Sequence, residues 1–194
     1  MSTKNYLKSL LDDKKVASIT PTSSFAVERV LKNIDFSEAK TIVEYGPGGG
    51  VFTKSLLAKM RSDANLIAIE NNAYFATLLN QQIKDSRLHI VHGSAESIRA
   101  VLQSQKLATA DYIISGIPFS LFSSEMKNHI LSETNACLSQ NGKFLVYQFL
   151  VSLTYGKDDI KNKLAEYLVL VDRDFELFCV PPLRIFVTAK RVCP

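Results

Sequence analysis

The chain has 194 residues and a formal net charge of +4. That length holds one domain, and a composition 46% hydrophobic and 22% charged excludes a disordered or fibrous chain. No run of about 18 apolar residues and no signal-peptide apolar block occurs, so neither a bilayer-spanning helix nor secretion is expected. Cys137, Cys179 and Cys193 are odd in number and lack a Cys-x-x-Cys pair, which reads as reduced thiols in a cytosolic protein. The mild basicity suits an anionic partner, lipid or nucleic acid, without choosing between them.

Residues 4–15 predict a short amphipathic helix, with Tyr6, Leu7, Leu10 and Leu11 on one side and Lys4 and Lys8 on another. Two readings stand: a lid on its own domain, or a basic interfacial helix that touches lipid. Pro21 forces an extended residue before it, and Thr22, Ser23 or Ser24 can cap a helix through Phe25–Leu31. Thr41-Ile42-Val43-Glu44-Tyr45 is a β-forming run that ends in the turn Gly46-Pro47-Gly48-Gly49-Gly50, and Phe52–Met60 starts the next helix. Bare backbone at the carboxyl end of a strand admits a ligand closely, where open α/β sheets bind small molecules.

The glycine spacing decides which ligand. A dinucleotide fingerprint needs glycine at the sixth position from Gly46, which is Val51, and no Gly-Lys-Ser/Thr follows for a phosphate loop. The pattern is Glu44-x-Gly46-x-Gly48-x-Gly50, which resembles the first motif of Rossmann-like methyltransferases that use S-adenosylmethionine (SAM). A zwitterionic amino-acid tail needs backbone donors and a nearby carboxylate, and this loop offers both. The plain alternative is a strand-to-helix turn with no ligand.

A second strand, Asn65–Glu70, ends in an acid 20 residues beyond Gly50. At that distance a carboxylate reaches both hydroxyls of a ribose, so Glu70 and its neighbour Asn71 join the cofactor set. The helix at Ala73–Leu79 and a strand over 87–92 follow, then Gly93-Ser94-Ala95-Glu96. SAM-binding relatives usually carry an Asp where Ser94 stands, so Ser94 and Ala95 are the adenine-side candidates, with Glu96 as a substitute carboxylate. His89 and His92 alternate badly for a shared metal, and none is predicted.

The strand Ala110–Ser115 ends in Gly116-Ile117-Pro118-Phe119. Methyltransferases acting on exocyclic amines read Asn/Asp-Pro-Pro-Tyr or Asn-Leu-Pro-Tyr there. Here the amide is missing, while Pro118 still stiffens the loop and Phe119 is expected to offer a ring face. Ser115, Pro118 and Phe119 are therefore catalytic candidates, and Ser115 also belongs to the cofactor set. A helix is predicted over 125–138 and a strand over 143–149, where Tyr147 near the carboxyl end completes the catalytic set. Residues 155–161 read as polar, turn-rich chain, and strands at 167–179 and 184–189 as a closing antiparallel hairpin through Pro181-Pro182.

Together these stretches resemble the bacterial phospholipid N-methyltransferases, relatives of the ribosomal RNA adenine dimethylases. The likeness includes Val16–Ser24, Ser115–Phe119, Phe144–Phe149 and Val180–Val187 and covers nearly the whole chain. It implies an α/β fold: a Rossmann-like, seven-stranded methyltransferase sheet with helices on both faces plus an N-terminal amphipathic helix. Residues 1–194 would be a single domain, with 1–35 as lid or membrane-contact segment. The implied reaction moves a methyl group from SAM to the amine of phosphatidylethanolamine. The expected enzyme is cytoplasmic and attached peripherally to the inner face of the membrane, with its oligomeric state, monomer included, left open. The rival readings are a nucleic-acid adenine N6-methyltransferase, disfavoured by the missing amide and modest charge, and a non-catalytic SAM-binding module.

Overall fold

A computed structural model describes residues 24–149, 160–177 and 182–191. The expected helix at 4–15, the Pro21 turn, most of the 155–161 stretch and the Val180-Pro181 junction lie outside the described residues.

Seven strands form one sheet in the order β3-β2-β1-β4-β5-β7-β6. They are β1 (Thr41–Tyr45), β2 (Asn65–Glu70), β3 (Leu88–His92), β4 (Ala110–Ser115), β5 (Leu138–Phe149), β6 (Val169–Glu176) and β7 (Leu183–Ala189). The first five are parallel, and β7 runs antiparallel between β5 and β6. Central parallel strands are covered on both faces and so read as unbroken apolar runs. Accordingly, all five residues of β1 are buried.

Helices α1 (Ser24–Leu31), α2 (Val51–Lys59), α3 (Ala73–Gln82), α4 (Ile98–Ser104), α5 (Ser124–Cys137) and α6 (Ile160–Tyr167) flank the sheet. Even-numbered β1 and β4 residues such as Ile42 and Ile114 pack with Leu31, Phe52 and Leu56 of α1 and α2. Odd-numbered ones such as Val43 and Ile113 pack with Ile98, Ile130 and Leu164 of α4, α5 and α6. The two-residue alternation of a strand thus sorts the sequence into two cores. Asn72 starts α3 by accepting from the backbone N–H groups of Tyr74 and Phe75, an ordinary Asn cap.

Two expectations are corrected here. The segment expected as strand from residue 167 is preceded by α6, whose buried face has only Ile160 and Leu164, one turn apart; its other residues are largely polar and mask the period. Strand β5 begins at Leu138 rather than 143, because Leu138 pairs with Ala110 before the register shifts to Tyr112 opposite Lys143.

Candidate active site

The sheet order reverses between β1 and β4, the place where doubly wound sheets open a crevice beyond their carboxyl ends. Glu44, Glu70, Ser94, Ser115 and Tyr147 stand at or next to the carboxyl ends of β1 to β5, so the topology gathers every sequence-selected strand on one edge. Gly46, Gly48 and Gly50 all hold left-handed backbone, with φ of 68°, 53° and 78°. At two of them space matters as well. A Cβ on Gly46 would lie 2.8 Å from Ile117 Cγ2, and one on Gly50 2.5 Å from Leu79 Cδ2. The loop is therefore bare backbone pressed between the β4 exit and α3.

Glu44 is 1% exposed at the end of β1. Its Oε2 accepts from the Thr53 hydroxyl at 2.7 Å, while its Oε1 is buried without a hydrogen-bond partner. A buried, half-satisfied carboxylate resists ionisation. Burial raises Glu44 to about 7, the Thr53 bond pulls it back, and the charge of Glu70 adds to the rise. Glu70 is held differently: Oε2 accepts from Gly48 N at 2.9 Å and Oε1 from Asn72 N at 2.8 Å. These two amide donors fix the carboxylate in place and tie the glycine loop to β2. Asn71 is exposed beside it.

On the β3 side, Ser94 caps a short turn of 3-10 helix and accepts from Glu96 N. Its hydroxyl donates to Glu96 Oε2 at 3.0 Å. The serine therefore orients the Glu96 carboxylate, and Ala95 beside it is buried in the core.

The β4 exit departs from expectation. Ser115 lies level with Tyr45 and Val146, both in the core beneath α4 and α5. Strand alternation sends its side chain to that face, away from Glu44 and Tyr147. Its Oγ is buried there without a partner. Phe119 is fully buried in the same core, edge-on to Phe122 at 6.0 Å. The ring expected to face a substrate faces the protein interior instead, because the 3-10 turn Phe119–Leu121 rotates it under the loop. Pro118 is exposed. Tyr147 lies on the Glu44 face, 8% exposed, and stacks on Phe52 with ring centroids 4.4 Å apart and planes 19° from parallel. Burial and then the charge of Glu44 hold its phenol protonated.

Sequence reasoning did not single out Thr53, Asn72, Phe52 or Ile117. Thr53 and Asn72 carry a faint signal, being polar residues in or before the first turn of a helix that follows a strand-end acid. Phe52 and Ile117 read as ordinary apolar positions. Among the described residues, no cluster of three His, Cys, Asp or Glu side chains is arranged to hold a metal.

The chain is 27% identical to an ornithine lipid N-methyltransferase from Singulisphaera acidiphila, over 66% of this chain and 68% of that one. It is 28% identical to ribosomal RNA small subunit methyltransferase A from Caulobacter vibrioides, over 48% of this chain but 34% of that one. Among solved structures, it resembles a 1,6-didemethyltoxoflavin-N1-methyltransferase from Burkholderia thailandensis bound to S-adenosylhomocysteine. That likeness has a TM-score of 0.69 at 14% identity, covering 98% of this chain and 87% of that one. The sequence profile of the ribosomal RNA adenine dimethylases matches residues 21–149. With its seven-stranded sheet, its left-handed glycine loop and its two acidic strand ends, the chain is a SAM-dependent methyltransferase that belongs to the ribosomal RNA adenine dimethylase family.

Proposed function

We propose that this methyltransferase acts on the amine of a phospholipid head group, phosphatidylethanolamine, at the membrane surface. The observation that carries the reading is the β4 exit, where Gly116 offers no side-chain amide to grip the edge of a planar base. Its relation to an ornithine lipid N-methyltransferase supports a lipid acceptor.

The residues on the strand ends fit SAM. The unpartnered Glu44 Oε1 would take the ammonium of the methionyl tail, and the glycine-loop amides its carboxylate. Glu70, with Asn71 alongside, would hold the ribose hydroxyls, since two of its carboxylate lone pairs remain after the Gly48 and Asn72 bonds. Ser94, Ala95 and Glu96 would border the adenine. When bound, the sulfonium supplies an activated methyl group, and the protein's task is alignment and exclusion of water.

An alkyl amine, with a lysine-like pKa of about 10, must arrive neutral to react. Desolvation beside the Phe52–Tyr147 stack would favour that form. Residues 4–15 would bring the pocket to an anionic surface, each basic residue contributing about 1 kcal/mol. Such an enzyme would sit on the cytoplasmic face as a peripheral protein.

Mass spectrometry of lipids from cells expressing the chain tests the proposal. New mono-, di- or trimethylated ethanolamine lipids are the expected result. The second reading, an adenine N6-methyltransferase, is favoured by the family profile and the ribosomal RNA methyltransferase relative. Unmethylated lipids beside newly methylated adenine in RNA would overturn the lipid assignment in its favour.

A further inference from the structure

Gly116 and Tyr147 are fitted to each other across the neighbouring strands β4 and β5. Gly116 directly follows β4, is half-buried, and donates its N–H to Tyr45 O at 3.3 Å. A Cβ on it would run into Tyr147 Oη and lie 2.5 Å from Tyr147 Cζ and 2.9 Å from Cε2. The phenol therefore occupies the volume that any side chain at position 116, an amide included, would need. Its ring has crossed from β5 over the β4 backbone and lies on Phe52, in the first turn of the helix that the glycine loop launches. One aromatic side chain thus joins the acceptor-side loop to the cofactor loop, on the sheet face that carries Glu44.

We propose that Tyr147 is the residue that positions the acceptor nitrogen, and that Gly116 is glycine in order to admit it. The inference rests on the reading of the acceptor as an alkyl amine. A planar base edge is matched by an amide with paired donor and acceptor. A tetrahedral amine needs one acceptor atom that fixes an N–H and so aims the nitrogen lone pair. A neutral phenol oxygen, with one hydrogen and two lone pairs, meets that need. Burial keeps this phenol protonated, so it fixes direction without adding charge. The stack on Phe52 removes the ring's freedom to follow a misplaced substrate, and alignment of this kind is the main contribution a protein makes to transfer from an already activated donor.

The test uses the full chain with SAM and mixed micelles of phosphatidylethanolamine or an ornithine lipid. Tyr147→Phe keeps the ring and its stack and removes only the oxygen. The expected result is an unchanged melting temperature, SAM affinity within twofold of the parent, and kcat/KM for the lipid lowered at least tenfold. A kcat/KM within twofold of the parent would show the hydroxyl to be packing and overturn the inference, as would an equal loss in SAM affinity. Gly116→Ala, by the crowding described, should lose turnover. Adding Tyr147→Leu should restore its melting temperature and SAM affinity but not its turnover, and recovered turnover would also overturn the inference. If the parent methylates neither lipid, the amine reading itself fails and this inference falls with it. A working parent with an unaffected Tyr147→Phe variant defeats the inference alone.

Discussion

With the SAM ammonium placed at Glu44 as proposed, SAM binding becomes a titration. In the empty protein burial lifts its carboxyl to about 7, from an ordinary 4.5. The folded state therefore holds this proton more tightly than the unfolded chain does. Stability from this group is present below about 4.5 and is lost as pH rises toward about 7. An ammonium placed against the unpartnered Oε1 reverses the preference and drives the proton off. If binding returns the group to its ordinary range, the affinity penalty is the work of ionising it in the empty site. Between about pH 5.5 and about pH 7.5 that penalty changes by about 25-fold in Kd, or about 1.9 kcal/mol. The assay is titration calorimetry at both pH values in two buffers of different ionisation enthalpy. It should show tighter binding at the higher pH, and proton release approaching one at the lower. Glu44→Gln should bind weakly with a flat profile. A flat profile in the parent, or the same slope in the Gln variant, refutes the placement of the ammonium at Glu44.

Two further substitutions separate site from scaffold. Glu70→Ala removes the acceptor of both Gly48 N and Asn72 N together with the expected ribose contact. At about 1.5–3 kcal/mol per charged hydrogen bond, SAM affinity should fall by more than about 100-fold while far-UV circular dichroism is preserved; unchanged affinity removes Glu70 from the cofactor set. Phe119→Ala empties a fully buried ring site and should cost about 3–5 kcal/mol in denaturant unfolding. Full stability with lost turnover would return the ring to the substrate.

The sheet and the cofactor edge were legible because their physics is local. Parallel strands buried on both faces leave continuous apolar runs, and three left-handed residues within a five-residue turn leave glycines at 46, 48 and 50. Glu44 and Glu70 showed themselves by standing where an apolar strand stops. What stayed hidden depends on side-chain direction across the sheet. Nothing in Ser115-Gly116-Ile117-Pro118-Phe119 announces that its serine points into one core, or that a 3-10 turn tucks its phenylalanine under the loop. Helix α6 hid for a related reason, since two apolar residues four apart are too few to establish a period.

The acceptor side shows why those errors fell together. The cofactor contacts proposed at the β1 and β2 ends would run through backbone amides and strand-end carboxylates, whose positions follow from the chain path alone. An acceptor pocket is built between strands. Gly116 is interpretable only once Tyr147, 31 positions later in sequence, is seen to lie across it, and Tyr147 only once Phe52 is found beneath it. A motif read along one strand therefore assigned the polar role to the serine on β4. The register of β5 against β4 puts a phenol on the opposite face of the sheet, and the proposed positioning of the acceptor nitrogen gives that role to it. If Tyr147→Phe behaves as expected, substrate choice in this chain is written in a pair of residues on neighbouring strands, where a change at 116 has meaning only through the size of the side chain at 147.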